Sequence, residues 1–304
     1  MTNSAGSFDV LLARGAELER LATGFAFTEG PVWQPQEQRL YFSDMPGDTR
    51  RSWSEEHGVS VVRHPSNKGN GLAYDSDGNL VVCEHATSRL MLERTDGSAA
   101  VLADRWNGHE LNSPNDVVVG PRGDIYFSDP IYGRVPGFGI EREQDLSFQG
   151  VFRIDADGAL SLATAAEEFE QPNGLCFSPD DSLLYINDTP RAEIKVFDVA
   201  PDGSLGPARV FADEIGDGDP ARGVPDGMKC DNRGNIWVTG PGGVWVFDEL
   251  GKRLGVLQVP ETVGNLAWGG ADGRDLFLCA STSLYRIRTS VRGTGLRHPA
   301  AAGA

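Results

Sequence analysis

The stretch NGLAYDSDGNLVVCEH, residues 70–85, contains the pattern from which the fold can be inferred. Its two apolar runs, Gly71 to Tyr74 and Leu80 to Glu84, have the length of β-strands, and the DSDG between them favours a tight turn. A hairpin reverses the chain once, so Asn70 before the first strand and His85 after the second are expected at the same end of the strand pair.

The same arrangement occurs six times along the chain. In each copy an Asn, Asp or Glu stands just before one apolar run, and a second apolar run follows after a turn. These leading residues, here called the ring residues, are Glu29, Asn70, Asn115, Asn173, Asp226 and Asn265. Their spacing of roughly 40 to 60 residues, without helical periodicity, is typical of propeller blades. The sequence therefore predicts an all-β fold, a six-bladed β-propeller with four-stranded antiparallel blades.

The repeats occupy about residues 24–290 and leave no linker, so one propeller domain is predicted for residues 1–304. Residues 17–23, ELERLAT, alternate enough to form a strand and are expected to close the ring as the outer strand of the last blade. Residues 291–304 offer little to bury and are predicted to be a disordered tail.

The composition limits the kinds of partner that this protein is expected to bind. A formal net charge of −17 argues against nucleic acid and anionic membrane surfaces, which attract clustered Lys and Arg. We find neither a signal-peptide pattern nor an apolar run of membrane-spanning length, so a cytoplasmic protein is expected; its oligomeric state is not predicted. The four cysteines lie in predicted strands without metal-binding spacing, which favours buried free thiols.

Because inner strands line a propeller's channel, the ring residues should surround one of its openings. The carboxylates of Glu29 and Asp226 would stand among amide oxygens, a donor set for a hard divalent cation. Calcium is the expected ion, since its flexible coordination shell suits ligands from separate blades, with zinc, manganese and magnesium as possible substitutes. The alternative is that the Asn-Gly and Asp-Gly pairs serve only turn geometry, against which Glu29 counts as a poor turn residue.

Polar residues near the ends of the second strands should reach the same rim. The predicted substrate contacts are Asn115, Asp129, His85, His109 and Asn112. Asp129 could instead be a strand-ending turn residue, and each His a packed or surface residue. The third blade also contains an insertion, residues 133–149, predicted to emerge on this rim either as a lid or as a disordered surface loop.

Four strings in successive blades carry a family resemblance: FTEGPVW, LNSPNDVVV, PNGLCFSPD and PDGMKCDNRGNIWV. Together they resemble the SMP-30/gluconolactonase/LRE family of calcium-dependent lactonases over about residues 20–290, and the strings CEH and FSDPIYG look typical of its bacterial gluconolactonase branch. The resemblance implies Glu29, Asn173 and Asp226 as metal ligands, with Asn115 completing or bordering the site and facing substrate. Animal members carry an Arg where this chain has Ser113.

The resemblance further implies hydrolysis of a sugar lactone, such as gluconolactone, to the aldonic acid. The cation would act as a Lewis acid, and Asp226 as a ligand and candidate general base. Alternatively, a metal-activated hydroxide attacks while Asp226 serves only as a ligand. Two other functions stay open: organophosphate hydrolysis, for which a related propeller family uses a similar ligand set, and a non-enzymatic binding module with a structural metal.

Overall fold

The computed structural model describes residues 8–216 and 219–295. The strands are β1 Glu19–Thr23, β2 Thr28–Gln34, β3 Arg39–Asp44, β4 Thr49–Ser54, β5 Gly58–Arg63, β6 Gly69–Tyr74, β7 Leu80–Glu84, β8 Arg89–Glu93, β9 Ala99–Ala103, β10 Arg105–Trp106, β11 His109–Glu110, β12 Val117–Val119, β13 Ile125–Asp129, β14 Gly150–Ile154, β15 Leu160–Leu162, β16 Pro172–Phe177, β17 Leu183–Asp188, β18 Glu193–Asp198, β19 Arg209–Ala212, β20 Met228–Cys230, β21 Ile236–Gly240, β22 Gly243–Phe247, β23 Arg253–Gln258, β24 Val263–Gly269, β25 Asp275–Ala280 and β26 Ser283–Arg288. Three short 3-10 helices interrupt them, at Asp9–Leu11, Tyr132–Arg134 and Pro220–Arg222.

These strands form six four-stranded antiparallel sheets, which are the blades of the predicted six-bladed propeller. Five blades use four consecutive strands, β2 to β5, β6 to β9, β12 to β15, β16 to β19 and β20 to β23. The sixth contains β24, β25 and β26, with β1 as its outermost strand. The small hairpin of β10 and β11 lies between the second and third blades in the chain.

The hairpin predicted at residues 70–85 is present, and its turn chemistry is visible. Leu72 of β6 lies opposite Val82 of β7 in an antiparallel pair. The carboxylate of Asp75 accepts the backbone N–H groups of Asp77 and Asn79, at 2.9 and 2.8 Å. This bonding satisfies backbone donors that the turn would otherwise leave unpaired.

The apolar core lies between neighbouring blades. Trp33 of the first blade stacks on Phe277 of the sixth, with ring centroids 5.5 Å apart, and Trp237 of the fifth blade meets Trp268 of the sixth edge-on at 5.4 Å. All four cysteines are buried and free, as predicted. Because each blade buries both faces against its neighbours, the inner strands and their ring residues are held in a fixed relation to each other.

The ring of blades closes as predicted, with β1 paired antiparallel to β26. The tail prediction is wrong for residues 291–295: Val291 is 1% exposed, and the backbone N–H of Thr294 donates to Cys230 O at 3.0 Å. The apolar Val291 side chain and these backbone hydrogen bonds hold the segment, and residues 296–304 lie outside the described part. The helices of the described residues are all too short and polar to span a membrane.

Candidate active site

The ring residues stand where the regular pairing of the inner strands is interrupted. In four blades the register between the first two strands shifts at or beside the ring residue, between Glu29 and Val32 and at the matching places in β6, β16 and β24. In the other two blades, β12 and β20 begin after Asn115 and Asp226. An interruption of this kind changes the direction of a side chain relative to the sheet. Here it allows the side chains of the ring residues to face the channel.

The glycine after a ring residue allows neighbouring blades to approach closely. Gly71 N–H donates to Asn115 O at 2.8 Å, and Gly174 N–H donates to Asp226 O at 3.0 Å. A Cβ at Gly71 would lie 2.5 Å from Asn115 O, and one at Gly174 would lie 2.1 Å from Asp226 O. The reason for glycine at these two positions is therefore contact between blades, not the tight-turn geometry that was the alternative interpretation.

The amide side chains of the ring are joined by hydrogen bonds. Asn70 Nδ2 donates to Asn115 Oδ1, and Asn115 Nδ2 donates to Asn173 Oδ1, both at 2.7 Å. Asn265 Nδ2 donates to Glu29 Oε2 at 3.0 Å. The structure thus brings together the predicted ligands, and Asn70 and Asn265 orient their neighbours.

The two ring carboxyl groups are held in an environment that disfavours their charge. Burial raises the pKa of Glu29 to about 7, and the negative charge of Asp116 adds to the effect. Burial also raises the pKa of Asp226 well above its usual range, with repulsion from Glu29 and Asp116 as further causes. Asp226 as a whole residue is half-buried, whereas Glu29 is 3% exposed. A cation placed between the two carboxylates would relieve both burial and repulsion.

The donor set fits a hard divalent cation. Within the described ranges, no group of three His, Cys, Asp or Glu side chains forms a metal-binding cluster. The ring instead offers two carboxylates with amide oxygens, and Asn70 Oδ1 is buried without a hydrogen-bond partner. Neutral amide oxygens beside carboxylates are ligands that calcium accepts.

The backbone of Asp226 is fixed from three directions. Its N–H donates to Thr239 Oγ1 at 2.9 Å, while its carbonyl accepts Asn187 Nδ2 at 2.7 Å and the Gly174 N–H. These bonds come from its own blade and from the preceding one. The side chain therefore extends into the opening from a rigidly held stretch of backbone, which suits a ligand or a proton acceptor.

His85 lies at the ring, fully buried. Its Nε2 is 3.1 Å from Asn115 Oδ1, and its Nδ1 is 3.1 Å from Phe138 O in the insertion. Burial lowers the pKa of His85 to about 4, which keeps the imidazole neutral near pH 7. His85 thus connects the insertion to a predicted ligand, and its direct contact with substrate stays a prediction.

The structure gives Asp129 a positioning role. Its carboxylate accepts the backbone N–H groups of Asn112 and Ser113, at 2.7 and 2.8 Å, and so holds the segment that leads to Asn115. Burial raises the pKa of Asp129 to about 7, although the two hydrogen bonds by themselves lower this pKa. Asn112 Nδ2 donates to the carbonyls of Asp129 and Phe148. Both residues are buried behind the ring, and their predicted contact with substrate is untested.

The same anchoring occurs in other blades. Asp44 Oδ1 accepts the N–H of Ala26 at 2.8 Å, and Asp188 Oδ2 accepts the N–H of Glu170 at 2.7 Å. Each aspartate ends the second strand of its blade and holds the chain entering the first. The carboxylates of Asp44 and Asp188, at the ends of second strands, thus accept hydrogen bonds from backbone N–H groups.

His109 lies farther out, on strand β11, and its side chain is 58% exposed. Its Nδ1 is 3.0 Å from Asp145 Oδ1 of the insertion. This contact joins two surface segments, and nothing in the described geometry brings His109 to the ring residues. Its role in substrate binding stays a prediction.

The insertion, residues 133–149, is ordered and folds against the rim. Phe138 meets Phe27 edge-on with centroids 5.7 Å apart, and Lys68 Nζ donates to Gly137 O at 3.4 Å. Ser113, where animal family members have Arg, accepts the Gly133 N–H at 2.8 Å. Of the two predicted alternatives, the disordered loop is wrong, because these contacts hold the insertion beside the opening.

Sequence reasoning missed several groups at the channel. Asp116 follows Asn115 directly, and its Oδ2 lies 3.8 Å from Lys229 Nζ. Tyr132, which directly precedes the insertion, and Thr189 of the fourth blade lie beside Asn173, and Tyr132 interacts electrostatically with Asp226. Asp116 and Lys229 are adjacent to motif residues, so their position could have been inferred; the placement of Tyr132 and Thr189 depends on loops.

A separate cavity of about 470 Å³ occupies the other end of the channel. Its lining includes Tyr74, Val118, Phe177, Lys229 and Trp268, toward the far ends of the inner strands, and no ring residue. The candidate site is therefore the ring end, where the carboxylates and amides converge.

Comparison with known proteins identifies the family of this chain. The family described as "SMP-30/Gluconolactonase/LRE-like region" matches residues 27–282. A gluconolactonase from Zymomonas mobilis is 31% identical, covering 96% of this chain and 87% of that protein, and the pentonolactonase XacC of Haloferax volcanii is 29% identical over 82% and 80%. The structure of a gluconolactonase from Xanthomonas campestris has a TM-score of 0.84 at 33% identity, covering 95% of this chain and 94% of that one. The predicted family and the predicted enzyme class, lactonase, are thereby confirmed. On its sequence and its fold, this chain belongs to the SMP-30/gluconolactonase/LRE-like family.

Proposed function

We propose that this protein hydrolyses a sugar lactone of the gluconolactone type at a divalent-cation site formed by the ring residues. The observation that carries the proposal is the placement of Glu29 and Asp226, two enclosed carboxylates beside the amides of Asn115 and Asn173. Relatives named for the hydrolysis of gluconolactone and of pentonolactones support this substrate class.

Glu29, Asn173 and Asp226 would hold the cation, with Asn115 completing or bordering the site. When bound, a divalent cation supplies Lewis-acid polarisation of the lactone carbonyl. Calcium is the proposed ion because the donors are all oxygens and come from four different blades. Asn265 keeps Glu29 oriented, and Asn70 does the same for Asn115.

Asp226 takes the proton of the attacking water. Thr239, Asn187 and Gly174 anchor the backbone of Asp226. The carboxylate therefore reaches the opening from a rigidly held residue. It is also the more exposed of the two ring carboxylates, and so the one that a water molecule from the opening meets. A base within hydrogen-bond reach of the attacking water satisfies the geometric requirement for general-base catalysis.

The test is hydrolysis of gluconolactone by metal-stripped protein, with and without added calcium, magnesium, manganese or zinc. The wild type is compared with Asp226→Asn and with Asp157→Asn, which makes the same change in an exposed turn. We expect metal-restored turnover in the wild type and the control, and a loss of at least about 100-fold in Asp226→Asn. The uncatalysed rate is subtracted, because aldonolactones hydrolyse spontaneously.

A panel of pentonolactones and of a fluorophosphate substrate accompanies this assay. Turnover of lactones alone supports the proposal. Turnover of the fluorophosphate alone, or full activity in the metal-free protein, would contradict it.

A further inference from the structure

Tyr132 lies at the candidate site but has no part in the chemistry described so far. Its phenol stands beside the side chains of Thr189 and Asn173 and interacts electrostatically with Asp226. The hydroxyl oxygen is buried, yet it makes no hydrogen bond of ordinary geometry to the protein. A buried hydroxyl without a partner lowers the stability of the fold, so its position calls for an explanation.

The neighbours of Tyr132 are already engaged. Thr189 Oγ1 donates to Pro225 O at 2.7 Å and accepts Asn173 Nδ2 at 3.1 Å. Asn173 Oδ1 accepts Asn115 Nδ2. These bonds fix Thr189 and Asn173 beside the phenol, and none of them uses the phenol proton.

The backbone around Tyr132 is held firmly. Ser113 Oγ donates to Pro130 O at 2.5 Å and accepts the Gly133 N–H at 2.8 Å, while the Ile131 N–H donates to Gln149 Oε1 at 2.9 Å. Tyr132 opens the short 3-10 helix Tyr132–Arg134 between these anchors. The phenol therefore has a defined position, as a preorganised donor requires.

We propose that Tyr132 is a catalytic residue that donates a hydrogen bond to the carbonyl oxygen of the lactone as negative charge develops there. The inference rests on the proposed function. The reacting carbonyl must lie against Asp226 and Asn173, and the Tyr132 hydroxyl stands beside Asn173 and interacts electrostatically with Asp226.

The role of Tyr132 is electrostatic, and its proton is retained. Water forms a bond to the carbonyl carbon and loses a proton to Asp226, the ring carbon–oxygen bond breaks, and the leaving oxygen takes up that proton from Asp226 to give the hydroxy acid. A donor aimed at the developing oxyanion stabilises the transition state more than the ground state, so it acts on kcat.

The test compares Tyr132→Phe with Tyr74→Phe, the same substitution at the cavity at the opposite end of the channel. With gluconolactone and the metal that activates the wild type, we expect Tyr132→Phe to lower kcat roughly 100-fold with KM changed less than about threefold. Tyr74→Phe should leave both constants near wild type. The melting temperature of metal-free Tyr132→Phe should equal or exceed that of the wild type, because no hydrogen bond to the protein is lost.

Three results would overturn the proposal. An unchanged kcat, or an effect confined to KM, would show that Tyr132 does not stabilise the transition state. A lower melting temperature for metal-free Tyr132→Phe would show that the hydroxyl has a structural partner. A wild type without turnover on any lactone would refute the proposed function and this inference with it, whereas normal turnover of Tyr132→Phe beside an active wild type refutes this inference alone.

Discussion

At the scale of one residue, Glu29 is a buried carboxyl group whose negative charge the fold disfavours. Its pKa in the folded protein, about 7, lies above the ordinary value of 4.5, chiefly because the group is buried. Such a group stabilises the fold fully below the unfolded pKa, and that contribution is lost as pH rises through the folded pKa. We therefore expect the melting temperature of metal-free wild type to fall between about pH 4.5 and 7, and to fall less in Glu29→Gln.

Calcium separates this effect from a general loss of stability. At pH 7, added calcium should raise the melting temperature of the wild type by mass action and leave that of Glu29→Gln unchanged. Glu249→Gln, at an exposed turn, is the matched control and should behave as wild type. Equal pH dependence in wild type and Glu29→Gln would contradict the pKa assigned to Glu29.

Gly71 carries a second prediction at this scale. Its absent Cβ leaves room for the carbonyl of Asn115, which a Cβ would approach to 2.5 Å. We expect Gly71→Ala to lower the free energy of unfolding by about 1–3 kcal/mol, because the blades must separate. Gly206→Ala is the control, since its Cβ would meet nothing closer than 3.5 Å. Urea denaturation compares the two, and an equal cost for both would contradict the close-approach argument.

At the scale of elements, the insertion depends on Arg134. Its guanidinium, 3% exposed, donates to the carbonyls of Asn112 and Leu111, at 2.8 and 2.7 Å, and pairs with Glu110 at 2.7 Å. One side chain thus joins the insertion to the segment that enters the third blade. Loss of Arg134 would leave those carbonyls unpaired, and Arg134→Ala should cost about 2–4 kcal/mol of stability.

The exposed Arg89, on β8, provides the control for this prediction. Arg89→Ala should change the free energy of unfolding by less than about 0.5 kcal/mol. Urea denaturation and proteolysis within residues 133–149 are the measurements. If Arg134→Ala is neither less stable nor cleaved faster in the insertion, Arg134 does not hold it.

At the scale of the whole molecule, closure depends on a strand from the opposite end of the chain. Strand β1 pairs with β26, and Leu11 is buried among residues of the last two blades. Removal of residues 1–23 would expose the edge of β26 and part of that core. We expect the truncated protein to melt at least about 10 °C lower or to aggregate. An unchanged melt for the longer truncation would contradict closure by β1.

The number of blades, the closing strand and the positions of the ring residues all follow from the amino-acid sequence. Period and alternation are local properties, and a hairpin dictates which residues share an end of a blade, so Glu29, Asn70 and Asp226 can be assigned to one opening from the repeat pattern alone. The residue types also predict oxygen ligands, because side-chain chemistry does not depend on the fold.

What each of these groups touches depends on the tertiary structure. The sequence placed Asp129 at the rim but gave no sign that its carboxylate holds the backbone of Asn112 and Ser113. Tyr132 lies within the quoted string FSDPIYG, but its neighbours Thr189 and Asn173 come from another blade, so the string alone could not assign a role to its hydroxyl. Burial, hydrogen-bond partners and perturbed pKa values arise from groups brought together from different blades, and no local pattern encodes those distances.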